Sequence, residues 1–310
     1  MLPNMREASP ERKSSLSKYV LRQRCFAELS SKARSELAGI KFVPVRGTGG
    51  VFAAPTEIVD PVSHVSKLYF EDECVFPEET YLTEFGASLK ELGMIKRLTG
   101  KILLERIEIY SEGRREIDEI SEKVQHLLTS ESRPPKLDSE HCQMRWIPAS
   151  IDGVKKLYNA TECRSSTHKA LVEYSMPITE LEFSLNWQKR LGWDAPPARH
   201  YILRQLDEAV SRQDQDTSVI LSLLSAGWLS EIQELDTRAW IPGVSGGYYR
   251  RSDVFFKSAG LHPYIDNLNS QFTKYFRHSS VPIFGIQQEP SFEKVCDVPA
   301  AGRGCDTEIA

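Results

Sequence analysis

Gly243-Val244-Ser245-Gly246-Gly247 spells G-x-S-x-G, the pattern that in hydrolases lifts a nucleophilic serine onto a strained strand-to-helix turn. Acyl transfer there needs a base, and His262 and His278 are the histidines such a reading would recruit. The flanking residues point elsewhere. Trp240-Ile241-Pro242 before Ser245 and Tyr248-Tyr249 after it are both strand-like, and glycines at the tip suit a tight hairpin. Ser245 is therefore expected to be a turn residue, with a serine hydrolase kept as the alternative.

Other chemistry is weaker. Gly93 to Lys101 offers two glycines before a lysine, but Ile102 stands where a phosphate-binding loop needs Ser or Thr. No G-x-G-x-x-G follows a strand, so no cofactor is expected. There is no H-E-x-x-H; Glu140-His141-Cys142 is contiguous, and Cys163 and His168 need partners from elsewhere, so no metal site is expected. Trp187, Trp193 and Trp228 read as core. Arg164, His168 and Lys169, with Arg250 and Arg251, could dock an acidic protein partner; the competing reading is a solvated rim of surface ion pairs.

The elements that must position these residues recur. Phe42-Val43-Pro44, Trp146-Ile147-Pro148 and Trp240-Ile241-Pro242 each lead into a glycine-containing hairpin. Behind them come Leu92-Gly93-Met94, Leu191-Gly192-Trp193 and Phe284-Gly285-Ile286, then helix-like runs at Leu103, Ile202 and Val295. Phe76-Pro77 is echoed by Met176-Pro177 and more weakly by His262-Pro263. Proline in a strand-like run suggests an edge strand or bulge. The large residue two places before it is expected in the core. A helical stripe over 16–37, with Gly39 as its cap, precedes the first unit, and one helix is expected to carry Ile220, Leu224, Trp228, Ile232 and Leu235. The expected organisation is a disordered 1–15, a helix plus first module over 16–135, a second module over 136–238, a truncated third over 239–298 and a disordered 299–310. The fold class is α+β: tandem hairpin-and-helix modules stacked in an elongated array.

Composition narrows the class. The 310 residues carry a net charge of −4, so no global basic field invites nucleic acid or an anionic membrane. No apolar run approaches the roughly 20 residues of a membrane helix. The first fifteen residues lack the apolar core of a secretory signal. Six scattered cysteines without a C-x-x-C pair read as reduced thiols, hence a cytoplasmic protein.

Further likeness lies in Ala54-Pro55-Thr56-Glu57, Val59-Asp60-Pro61, Glu162-Cys163-Arg164-Ser165 with His168-Lys169, and Val254-Phe255-Phe256-Lys257-Ser258. In order and spacing these runs, over about residues 16–298, resemble the large repeats of the sacsin-like family. The resemblance implies a cytosolic chaperone or co-chaperone scaffold that binds protein partners, unfolded clients or heat-shock chaperones. It also implies an ATPase domain elsewhere in the family's chains; this chain lacks the Asn-bearing helix, D-x-G-x-G and lid of such a domain, so nucleotide hydrolysis is not carried over. The expectation is a non-enzymatic scaffold segment of a longer protein, with no catalytic residue transferred. A truncated gene product without an independent role is a further alternative.

Overall fold

The computed structural model describes residues 5, 7–47, 50–131, 134–212, 217–230, 232–257, 265–277, 285–291 and 294. The fold is mixed α+β with small sheets. In chain order the first elements are α1 (Pro10–Leu21), α2 (Gln23–Ala27), α3 (Ser31–Ala38), β1 (Val43–Pro44), β2 (Phe52–Ala53), α4 (Glu79–Glu91), α5 (Gly100–Ser111), α6 (Ile117–Ser130) and α7 (Ser139–Gln143). Then come β3 (Ile147–Ile151), β4 (Val154–Tyr158), β5 (Arg164–Ser165), α8 (Lys169–Val172), β6 (Ile178–Thr179), α9 (Leu185–Arg190), α10 (Arg199–Ser211) and α11 (Ser218–Ser225). The last are β7 (Ile241–Pro242), β8 (Tyr248–Tyr249), β9 (Val254–Phe255), β10 (Asp266–Asn267) and α12 (Thr273–Arg277). The sheets are β1-β2, β4-β3-β6-β5, β7-β8 and β10-β9. Among the described residues no helix is long and apolar enough to cross a membrane.

The chain forms two compact units: Met1–Ala149 with Lys155–Ala160 and Glu180–Gly192, and Ser150–Val154 with Thr161–Thr179 and Trp193–Ala310. In the first, Tyr81, Phe85, Leu89 and Leu92 line the buried face of α4 and its cap, as their helical spacing predicts, and pack with Leu37, Phe42 and Val43. Thr99 caps α5 by accepting from the Ile102 N–H at 3.3 Å, and Gly113, at φ 64°, separates α5 from α6. Arg106 on α5 is 1% exposed. Its guanidinium donates to both carboxylate oxygens of Glu73 at 2.8 and 2.7 Å and lies 4.0 Å from the Tyr69 ring centre. Burial pushes the Tyr69 phenol up to about 12.

In the second unit, Ile202, Leu206, Ile220, Leu223, Trp240, Val254 and Phe272 form the core. Here α11 stops at Ser225, because Gly227 at φ 72° lets the Trp228 N–H reach back to the Leu223 carbonyl. The single helix expected through Trp228 to Leu235 is thus two elements, the second a 3-10 turn at Gln233–Thr237.

Backbone hydrogen bonds repeat between distant segments. Phe42 N–H donates to Ala53 and Val45 to Val51; Trp240 donates to Tyr249 and Gly243 to Gly247. Arg46 donates to Phe76, and Glu78 to Pro44; Val244 donates to Asn267, and Asn269 to Pro242. Asp60 donates to Ile95, and Phe256 to Gln287. In the middle segment Arg164 donates to Pro177 as Val59 does to Val75, and β5 runs parallel to β6 as β9 does to β10. Leu92-Gly93 and Leu191-Gly192 both close a helix: the leucines donate to Ser88 and Trp187, and the glycines sit at φ 102° and 72°. The hairpin of the middle segment turns through Asp152 (φ 52°) and Gly153 (φ 77°), as that dipeptide predicts.

Several expectations need correction. Within the stretch expected to be disordered, Ser9 accepts from the Arg12 N–H at 3.4 Å and Pro10 starts α1, while Met5 is buried. The stripe over 16–37 is three helices, and Tyr19 is 55% exposed. Pro44 and Pro242, by contrast, each lie in a strand of a two-stranded sheet, the edge position expected of them, with only an isolated bridge beside it. The proline echoes are also shifted: the counterpart of Phe76-Pro77 is Asn267-Leu268, since Val45 faces Pro77 and Gly243 faces Leu268. By the same logic Pro177 matches Val75. His262-Pro263, Phe284, Val295 and the tail over 299–310 lie outside the described residues.

Candidate functional site

Ser245 sits at the tip between β7 and β8, so a strand and not a helix follows it. Its backbone N–H and hydroxyl both donate to Oδ2 of Asp266, at 3.1 and 2.5 Å, and its Oγ lies 2.9 Å from the Tyr249 hydroxyl. Asp266 is 2% exposed and its Oδ1 accepts from the Asn267 N–H at 2.8 Å. Burial alone would raise the Asp266 carboxyl; the donors from Ser245, Asn267 and Tyr249 outweigh it and hold the group below the usual carboxylate value. The glycines of the motif make room for this arrangement. A Cβ on Gly243 would lie 2.1 Å from Asp266 Oδ2 and 2.6 Å from Tyr249 Cε2, and one on Gly247 would meet the Tyr249 hydroxyl at 3.0 Å. Gly246 supplies the positive φ, 87°, of the turn. The pattern that reads as a nucleophile elbow therefore builds a carboxylate-tied hairpin, and the serine proton is given to an anion that anchors the backbone. His262 and His278 are outside the described residues.

The five basic residues expected to dock a partner divide into three groups. Arg164 is buried in β5, 4% exposed, with Nη1 donating to the Cys163 carbonyl at 2.9 Å, and burial pulls its pKa below the usual arginine value. A strand whose residues face the interior cannot offer that side chain to a surface, so Arg164 leaves the docking set. His168 is half-buried. Its ring stacks on Trp228 at 6.5 Å and 17°, with Nδ1 3.0 Å from Ser165 Oγ and 3.2 Å from Thr167 Oγ1. Burial first, then the Arg164 charge, hold its imidazole below the ordinary value, so near neutral pH it presents no cation. Arg251 is ion-paired with Asp236 at 2.7 Å. Lys169, at the start of α8, and Arg250, beyond β8, are exposed; the Arg250 charge is one of the influences that hold the Asp253 carboxyl below its usual value.

Cys163 is fully buried, and burial drives its thiol far up, which makes it an inert core residue. His141 is also buried; its Nδ1 lies 2.6 Å from Asp138, which caps α7, and its Nε2 lies 3.4 Å from Glu108. Among the described residues no group of three or more His, Cys, Asp or Glu could hold a metal ion. Trp187 and Trp193 are core, as expected. Sequence reasoning missed Asp266 and Tyr249 as the partners of Ser245. Tyr249 could have been suspected from the glycine it overlies; Asp266 carries no local signal, since it reaches the turn from a distant strand. No protein-family model, curated protein or solved structure matches this chain.

Proposed function

We propose that this chain is a non-enzymatic scaffold in which one hairpin-and-helix module recurs in an elongated tandem array, and that it engages protein partners or unfolded clients through those modules. The observation that carries this reading is the shared backbone scheme: bonds between residues 42 and 95 have counterparts between 240 and 287. Identity at those positions is low, since Arg46 corresponds to Val244 and Pro77 to Leu268. Hydrogen bonding kept while side chains vary is the mark of a repeated supersecondary unit, whose flanks need neighbours to cover them. The resemblance to sacsin-like repeats supports a cytoplasmic chaperone or co-chaperone role. The Ser245 hydroxyl, committed to Asp266, favours the non-enzymatic reading over a hydrolase. Lys169 and Arg250 are the exposed cations left to meet an acidic partner.

The test is light scattering from a thermally aggregating client protein with increasing amounts of the purified chain. Scattering suppressed near stoichiometric ratios, and restored by Lys169→Glu with Arg250→Glu, supports the proposal. No suppression of any of several clients, and no association with purified heat-shock chaperones, removes it.

A further inference from the structure

The first unit contains a cavity of about 570 Å³, within the range of small-molecule sites. Three chain segments converge on it. The 3-10 turn His64–Leu68 brings His64 and Lys67, the stretch after the α4 cap brings Lys96 and Arg97, and the end of α6 brings Ser130 and Glu131. His126, which also lines it, faces Glu122 at 3.7 Å.

What the cavity gathers is mainly charge of one sign. Lys41, Lys90, Arg106 and Arg115 each face a carboxylate, at 3.3, 2.9, 2.7 and 2.7 Å. Lys67, Lys96 and Arg97 face none among the described residues, although the whole chain is acidic at −4. Glu131 is the one carboxylate among the described lining residues. Like charges gathered in a concave surface focus the field into it. A sphere of 570 Å³ has a radius of about 5 Å, shorter than the Debye length of about 8 Å at physiological salt, so an anion inside would feel all three cations with limited screening.

We propose that this cavity binds a compact anion bearing two or more phosphate groups. The arginine fork and two ammonium groups match phosphate oxygens, and the hydroxyl of Ser130 adds a donor. The size selects a small molecule: six residues of extended acidic peptide would span roughly 20 Å. Among the described residues the lining has no Phe, Tyr or Trp, so those residues offer no platform on which a nucleotide base would stack. The inference is independent of the scaffold reading.

Inorganic tripolyphosphate titrated by calorimetry at low salt tests it. Saturable binding at one site is expected, weakened at least tenfold by Lys96→Glu with Arg97→Glu and by Lys67→Glu. All three positions are exposed, so the apo melting temperature should not move, and Arg250→Glu should bind as the wild type does. Co-sedimentation with vesicles carrying a bisphosphorylated inositol lipid, lost in the same variants, would assign the phosphates to a headgroup; binding of tripolyphosphate alone would assign them to a soluble ligand. The proposal is overturned by the absence of saturable binding, by unchanged affinity in the cavity variants, or by a hexaglutamate peptide that competes better than tripolyphosphate.

Discussion

Removing the Asp266 anchor separates a structural Ser245 from a catalytic one. In the native hairpin the carboxylate accepts two donors from Ser245 and one from the Asn267 N–H, in a site 2% exposed. Hydrogen bonds to a charged group contribute about 1.5–3 kcal/mol each when buried; Ser245 itself is exposed, so Ser245→Ala should destabilise by about 1–2 kcal/mol. Gly243→Ala should do more. Its Cβ would occupy space 2.1 Å from Oδ2, which forces the carboxylate away from both Ser245 donors, at roughly 2–4 kcal/mol. With a urea slope of about 2 kcal/mol per molar, the midpoints should fall by about 0.5–1 M and 1–2 M. The acid limb follows from the depressed carboxyl. A group whose folded pKa lies below its unfolded value adds stability above the unfolded value and loses it as pH falls through the folded one. The wild-type advantage over Asp266→Ala should therefore be full at neutral pH and shrink on acidification below about pH 4. Urea melts followed by circular dichroism, with fluorophosphonate labelling in parallel, decide the matter. An unchanged midpoint in Ser245→Ala, together with labelling that this substitution abolishes, would refute the anchor and restore the hydrolase.

Arg106→Met leaves the Glu73 carboxylate unpaired beneath Tyr69 and should destabilise the first unit by about 3–5 kcal/mol; adding Glu73→Gln should recover part of the loss in a double-mutant cycle, and full additivity would contradict the pairing. Trp146 and Trp240 are both buried, and truncation of either to Ala should cost about 3–5 kcal/mol. Their phenylalanine variants should differ. The Trp240 indole donates to Leu235 at 3.1 Å whereas that of Trp146 has no partner among the described residues, so Trp240→Phe should be the worse by about 1 kcal/mol in thermal melts. Gly93→Ala combines φ 102° with a 3.2 Å approach to Thr56 and should destabilise by about 1–2 kcal/mol; Gly192→Ala, at φ 72° with open space, should do so by about 1, and the reverse order in urea midpoints would argue against the cap assignment.

Much of the local structure was legible because neighbouring residues dictate it. Gly93 ends a helix, Gly192 makes a turn, Asp152-Gly153 turns a hairpin, and the helical spacing of Tyr81, Phe85 and Leu89 forecasts a buried face. The large aromatic two places before each proline proved buried, but so did the residue between them (Val43, Ile147 and Ile241), so strand alternation is not what buries it. Proline was a poorer guide. It tolerates a position where no donor is needed but does not define one, so Met176-Pro177 slipped by two residues and Leu268 serves where Pro77 does. The docking set failed at Arg164 because charge suggests a surface, whereas the parallel pairing of β5 with β6 carries that arginine inside.

The sequence by itself determined the turns, caps, apolar faces and the recurrence of aromatic-φ-proline runs, since each is set by backbone preferences over a few residues. Only the tertiary structure decided what those pieces hold together. Asp266 reaches Ser245 across twenty-one positions, and Lys67, Lys96 and Arg97 meet around one cavity from separate segments. Such encounters depend on how non-local strands pair and helices pack, which no short stretch of chain encodes.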